Sequence, residues 1–192
     1  MKSILRPLAT IMLLATAVLV NADEPAKTGP LAVGDKAINF ELPIIGENSY
    51  VNLEDEIRKG PVVVVVLRGY PGYQCPLCNQ QVSSLINRAK KLAESCQRVI
   101  LVYPGKANML EQHAEEFMGS RSIPDPMVMV RDDAMKMVTE WGIRWNSPRE
   151  TAYPATYVIN QNGRVAWSKI SDSHAGRSRP EEILQAIRKL EK

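Results

Sequence analysis

Apolar and polar positions alternate over residues 37–42, AINFEL, and after the turn residues IGEN come Tyr50 and Val51. This pattern predicts a small β-hairpin. Residues 53–59 leave room for one helical turn before Gly60 and Pro61 stop it. The stretch PVVVVVLRGY holds five consecutive valines, and an unbroken β-branched run fits a central strand covered on both faces. From Pro76, residues Leu77, Val82, Leu85, Ile86, Ala89 and Leu92 recur at helical spacing, which predicts one helix running to Ser95. Residues 98–103 form the next buried strand, closed by Pro104 and Gly105. Strand, helix and strand at this spacing make a βαβ unit, so residues 62–66 and 99–102 are expected to pair in parallel.

Residues 108–118 are amphipathic and end at Gly119, and residues 127–130 make a short strand. Asp132 or Asp133 can cap a helix over residues 134–141, stopped by Gly142. TAYPATYVIN and RVAWSK are two apolar runs joined through Asn162 and Gly163, the clearest hairpin in the chain. Ser178 and Glu181 have the spacing of a capping box ahead of a last helix through Ile183, Ile187 and Leu190. The expected architecture is one α/β domain over residues 37–192, a central mixed sheet flanked by helices with an N-terminal hairpin extension.

The N-terminus adds an address. Lys2 and Arg6 precede an apolar run over residues 8–20, and Val20 and Ala22 are small residues ahead of an acidic, proline-containing stretch. That is the layout of a signal peptide over residues 1–22, cut after Ala22. The apolar run is shorter than the roughly 20 residues a membrane-spanning helix needs. Residues 23–36 read as a flexible lead-in. Loss of Lys2 and Arg6 brings the formal charge from +3 to +1, which implies no nucleic-acid or membrane-surface partner. The expected location is periplasmic or extracellular, where disulfides persist. The chain has three cysteines, an odd number that a purely structural disulfide framework leaves unbalanced.

Two of them form the motif Cys75-Pro76-Leu77-Cys78 where a strand hands over to a helix. Unpaired N–H groups and the helix dipole favour negative charge at that end, so a thiol there loses its proton readily. Residues three apart on a helix also bring two sulfurs within bridging range, the first more exposed and the second set inward. Zinc would need four ligands at characteristic spacing, and only Cys96, His113 and His174 remain, all distant in sequence. A structural disulfide across so small a loop would add little stability. A redox-active dithiol, without metal or other cofactor, is the better reading.

With these features the chain resembles the thioredoxin-fold superfamily, and within it the peroxiredoxin-like redoxin branch, alkyl hydroperoxide reductase/thiol-specific antioxidant. The resemblance runs from GDKAINFELP through the βαβ unit to YPATYVINQNGRV and the final helix. That family carries a Pro-x-x-x-Thr-x-x-Cys loop whose cysteine attacks peroxide, with a distant arginine lowering its pKa. Pro71 and Cys78 match the loop, Cys75 stands in the threonine's place, and Pro154 stands where the arginine commonly precedes the penultimate strand. Both departures lean toward thioredoxin, whose CxxC faces a cis-proline that exposes backbone to a substrate chain.

The resemblance therefore implies an oxidoreductase working by thiol–disulfide exchange, with Cys75 attacking and Cys78 resolving, or the two roles reversed, and with Pro71, Pro76 and Pro154 shaping the site. Its partners would be protein or small-molecule disulfides and thiols, and a thiol partner protein. The alternative is a peroxidase in which Cys78 attacks the hydroperoxide and Cys75 resolves. A third reading, a copper carrier, needs His174 beside the pair. Arg68 and Arg149 are the cations expected to approach the thiols. Cys96 is expected to be packing, and His113 to be solvated.

Overall fold

The structure, a computed structural model, describes residues 29–190. The expected leader and most of the lead-in lie outside the described residues. The lead-in's last part is docked rather than free: Leu31 is buried, and Gly34 N–H donates to Val165 O at 2.8 Å.

The hairpin is β1 (Glu41–Pro43) with β2 (Tyr50–Asn52), followed directly by α1 (Leu53–Ile57), whose cap is the Asn52 side chain accepting from Glu54 and Asp55 N–H. The central sheet holds β3 (Val62–Val66), β4 (Arg98–Gly105), β5 (Met127–Asp133), β6 (Ala155–Ile159) and β7 (Val165–Ile170) in the order β5-β4-β3-β6-β7. β3 pairs with β4 in parallel and with β6 antiparallel, so the sheet is mixed as expected. Alternation inside the valine run is complete. Val63 and Val65 enter one core with Val82, Leu85 and Ile183, while Val62, Val64 and Val66 enter the other with Leu53, Trp141 and Tyr157. Each face of β3 is therefore covered, and none of its valines is accessible to solvent.

The long helix is divided into α2 (Pro76–Ile86) and α3 (Ala89–Ala93). Arg88 leaves helical geometry at ψ 8°, and its N–H turns back to Leu85 O at 2.9 Å. Apolar spacing cannot register this break, because Leu85, Ala89 and Leu92 all reach the same core across it. α4 (Leu110–Met118) and α5 (Lys136–Glu140) start later than their apolar patterns, each after a methionine in the left-handed region. Asp132 does cap α5, its carboxylate accepting from Met137 and Val138 N–H, both at 3.0 Å. The last helix, α6 (Pro180–Arg188), departs from expectation at its start. Glu182 accepts from Arg179 N–H at 2.8 Å, while Ser178 faces inward to Thr156.

Candidate active site

Beyond β3, Leu67 N–H still donates to Val102 O at 2.9 Å, and then the chain turns at Gly69 with φ 67°. A Cβ there would fall 1.9 Å from Pro104 O, so the turn accepts only glycine. Gln74 anchors the loop that follows: its Nε2 donates to His113 O at 2.8 Å and its Oε1 accepts from the Tyr103 hydroxyl at 2.7 Å. Tyr70 stacks on the His113 ring with centroids 3.6 Å apart, so His113 braces this loop rather than sitting free in solvent. The loop delivers Cys75 as the N-cap of α2, with Pro76 in the first turn where its missing N–H costs little.

Cys75 Sγ gathers donors from three directions. The Cys78 thiol and the Cys78 backbone N–H both point to it, and Arg177 Nη2 approaches at 3.7 Å. The hydrogen bond from the Cys78 thiol is the largest influence holding Cys75 far below the ordinary thiol value. Burial opposes it, and the backbone N–H, the Arg177 charge and then the Arg68 charge reinforce it. Cys78 moves the opposite way, because it supplies the proton of the shared bond and lies deeper. The two thiols are thus pushed in opposite directions, Cys75 toward easier loss of its proton and Cys78 toward keeping it. Both are more enclosed than the helix spacing implied, with Cys75 only 3% exposed and Cys78 0%.

Arg177 was not evident from the sequence, since 102 positions separate it from Cys75. Its Nε donates to His174 O at 3.1 Å and its Nη1 to Gln81 Oε1 at 3.0 Å. Beside it a groove of about 310 Å³ separates α2 from the 175–179 loop, walled by Leu77, Gln80 and Gln81.

Of the two expected cations, Arg68 does approach the thiols and Arg149 does not. Arg68 is buried, and its Nε and Nη2 grip the Glu150 carboxylate at 2.6 and 2.9 Å. Its Nη1 donates to the Tyr73 hydroxyl at 2.5 Å, and its own backbone N–H donates to the Cys78 sulfur. Arg149 offers only its carbonyl oxygen, which accepts from Arg68 Nη2 at 3.0 Å, while its side chain is exposed. Pro71 lines a separate cleft of about 450 Å³ with Arg149 and Glu150. Pro154 is buried beside β6, its carbonyl accepting from Ser171 N–H at 2.9 Å. The cis peptide among the described residues is Asp125–Pro126, so the thioredoxin-like cis turn expected at Pro154 is not there.

His174 Nε2 meets Glu150 Oε1 at 2.9 Å, and the described residues hold no group of three or more His, Cys, Asp or Glu placed to bind a metal. Cys96 donates its thiol to Leu92 O at 3.3 Å inside the core, and burial pushes it up to about 12.

The AhpC/TSA family profile matches residues 33–168. The chain belongs to that family and is an oxidoreductase. No curated protein sequence matches. Among solved structures, peroxidoxin BcpB from Mycobacterium tuberculosis superposes with a TM-score of 0.64 at 19% identity, covering 83% of this chain and 98% of its own. Mycobacterium tuberculosis AhpC gives 0.67 at 13% identity, with 85% and 99% covered. A yeast mitochondrial 1-Cys peroxiredoxin gives 0.66 at 14% identity, with 84% and 76% covered. At these identities the likeness is one of fold, the thioredoxin-like arrangement of sheet and helices.

Proposed function

We propose that this AhpC/TSA-family oxidoreductase is a thiol peroxidase that closes a Cys75–Cys78 disulfide in each cycle, with Cys75 as the attacking sulfur. The reading rests on Arg177 Nη2 standing 3.7 Å from Cys75 Sγ: a cation beside the more accessible thiol supplies what Pro154 cannot. The Cys75 thiolate attacks the distal oxygen of a hydroperoxide, the O–O bond breaks, and the alkoxide leaves as alcohol after taking one proton. Cys75 becomes a sulfenic acid. The Cys78 sulfur then displaces its hydroxyl as water, using the Cys78 proton, and the disulfide forms. Two electrons and two protons from an external dithiol, or from two thiols, restore the pair by exchange.

Two observations favour a small oxidant over a folded disulfide substrate. Cys75 is only 3% exposed, and Pro154 lacks the cis turn that would have presented backbone to a docking chain. Thiol–disulfide exchange thereby becomes the reductive half of the cycle. The leader over residues 1–22 supports an exported protein whose oxidised form is long-lived outside the cytosol.

Reduced protein mixed with hydrogen peroxide tests the reading. The expected result is rapid loss of the two thiols and formation of an intramolecular disulfide. In the Cys78→Ser variant a sulfenic acid should accumulate on Cys75, trapped by dimedone. Labelling of Cys78 in the Cys75→Ser variant at an undiminished rate would reverse the assignment, and catalysis of protein disulfide reduction without peroxide consumption would overturn it.

A further inference from the structure

Arg177 lies in a loop exposed at both Gly176 and Arg179, yet its guanidinium is held in one orientation. Nε is fixed on His174 O at 3.1 Å, within its own loop, and from α2 the Gln81 side chain holds Nη1 at 3.0 Å. Gln81 is itself buried, one turn beyond Cys78 on α2, and its Nε2 faces Ser178 Oγ at 3.5 Å. Ser178 Oγ meets Thr156 Oγ1 at 2.7 Å, which ties the arrangement to β6.

We propose that Gln81 is a positioning residue for the attacking sulfur: its amide oxygen holds Arg177 Nη1 at 3.0 Å, which aims Nη2 of the same guanidinium at Cys75 Sγ. The choice of an amide matters. A carboxylate at this position would hold the guanidinium equally well but would neutralise it, and the thiolate would feel a weaker field. A neutral acceptor orients the cation and leaves its charge free for the sulfur. The inference rests on Cys75 being the attacking sulfur, not on the nature of the oxidant.

The test is iodoacetamide alkylation of reduced protein over a pH series, with mass spectrometry identifying the labelled cysteine. Gln81→Ala should move the midpoint of Cys75 labelling upward by about one pH unit. Gln81→Glu should move it upward too, although the arginine stays bound, and the Gln81→Ala/Arg177→Ala double variant should shift no further than Arg177→Ala alone. Gln81→Met, which keeps the side-chain bulk, should reproduce the alanine result if alanine loosens the fold. A wild-type profile in Gln81→Ala and Gln81→Met would overturn the inference. So would a wild-type profile in Gln81→Glu, which marks a purely structural role, or shifts that add in the double variant. Labelling at Cys78 instead would show that the underlying reading had failed.

Discussion

Two arginines flank one pair of thiols and do different work. Arg68, at the end of β3, is buried and spends its fork on the Glu150 carboxylate at 2.6 and 2.9 Å. Arg177, in the loop before α6, is held by a carbonyl and an amide oxygen and turns its remaining corner to Cys75. Among the charges lowering the Cys75 thiol, Arg177 ranks above Arg68. Proximity alone does not make an arginine an activator; a cation already matched to a carboxylate has little field left to give.

The contrast collapses if the two arginines respond alike to the same substitution. Arg68→Met takes the paired guanidinium from Glu150, which is 11% exposed on its side chain, leaves it the His174 contact, and should cost about 3–5 kcal/mol in urea unfolding. Arg68→Met/Glu150→Leu should recover much of that loss. Arg177→Met should leave unfolding within about 1 kcal/mol but move the midpoint of Cys75 alkylation upward by about one to two pH units. The same variant should lower the reduction potential of the disulfide, by about 30 mV for each tenfold loss of thiolate stabilisation.

Acid offers a finer distinction. Burial pushes the Glu150 carboxyl up, but hydrogen bonds from Arg68 and His174 outweigh it and leave the group below its ordinary value. A depressed carboxyl contributes stability that is complete above its unfolded value, about 4.3, and lost as pH falls through the lower folded value. Wild type should therefore lose this part of its stability only below about pH 4, and Glu150→Gln should lack the loss. The smallest change is expected from His174→Asn. That histidine side chain is 44% exposed, so unfolding should shift by less than about 1 kcal/mol. A larger loss would mean that His174, rather than Arg68, carries the clamp.

Much of the fold was legible because its signals are local or periodic. Five valines with both faces covered, the turn at Asn162 and Gly163, and the cap at Asp132 each sit within a few residues of their effect. The break at Arg88 was hidden because both short helices bury the same stripe. At the site, Cys75 and Cys78 announced themselves by spacing, and Arg68 by adjacency. Arg177 and Gln81 could not be linked to them, since the link is made by the packing of a late loop against α2. Pro154 was read from motif position, yet whether a peptide bond is cis or trans is decided by its surroundings.

The Arg177–Cys75 contact also makes oxidation an electrical event. On the proposed reading, in which Cys75 reacts as a thiolate, the reduced pair carries one negative charge, and closing the disulfide removes it. Reduced and oxidised molecules then differ by a full unit of net charge on a chain that is otherwise close to balanced. They should separate on a cation-exchange column, with the oxidised form retained longer, so the redox state of a sample becomes visible without any labelling reagent.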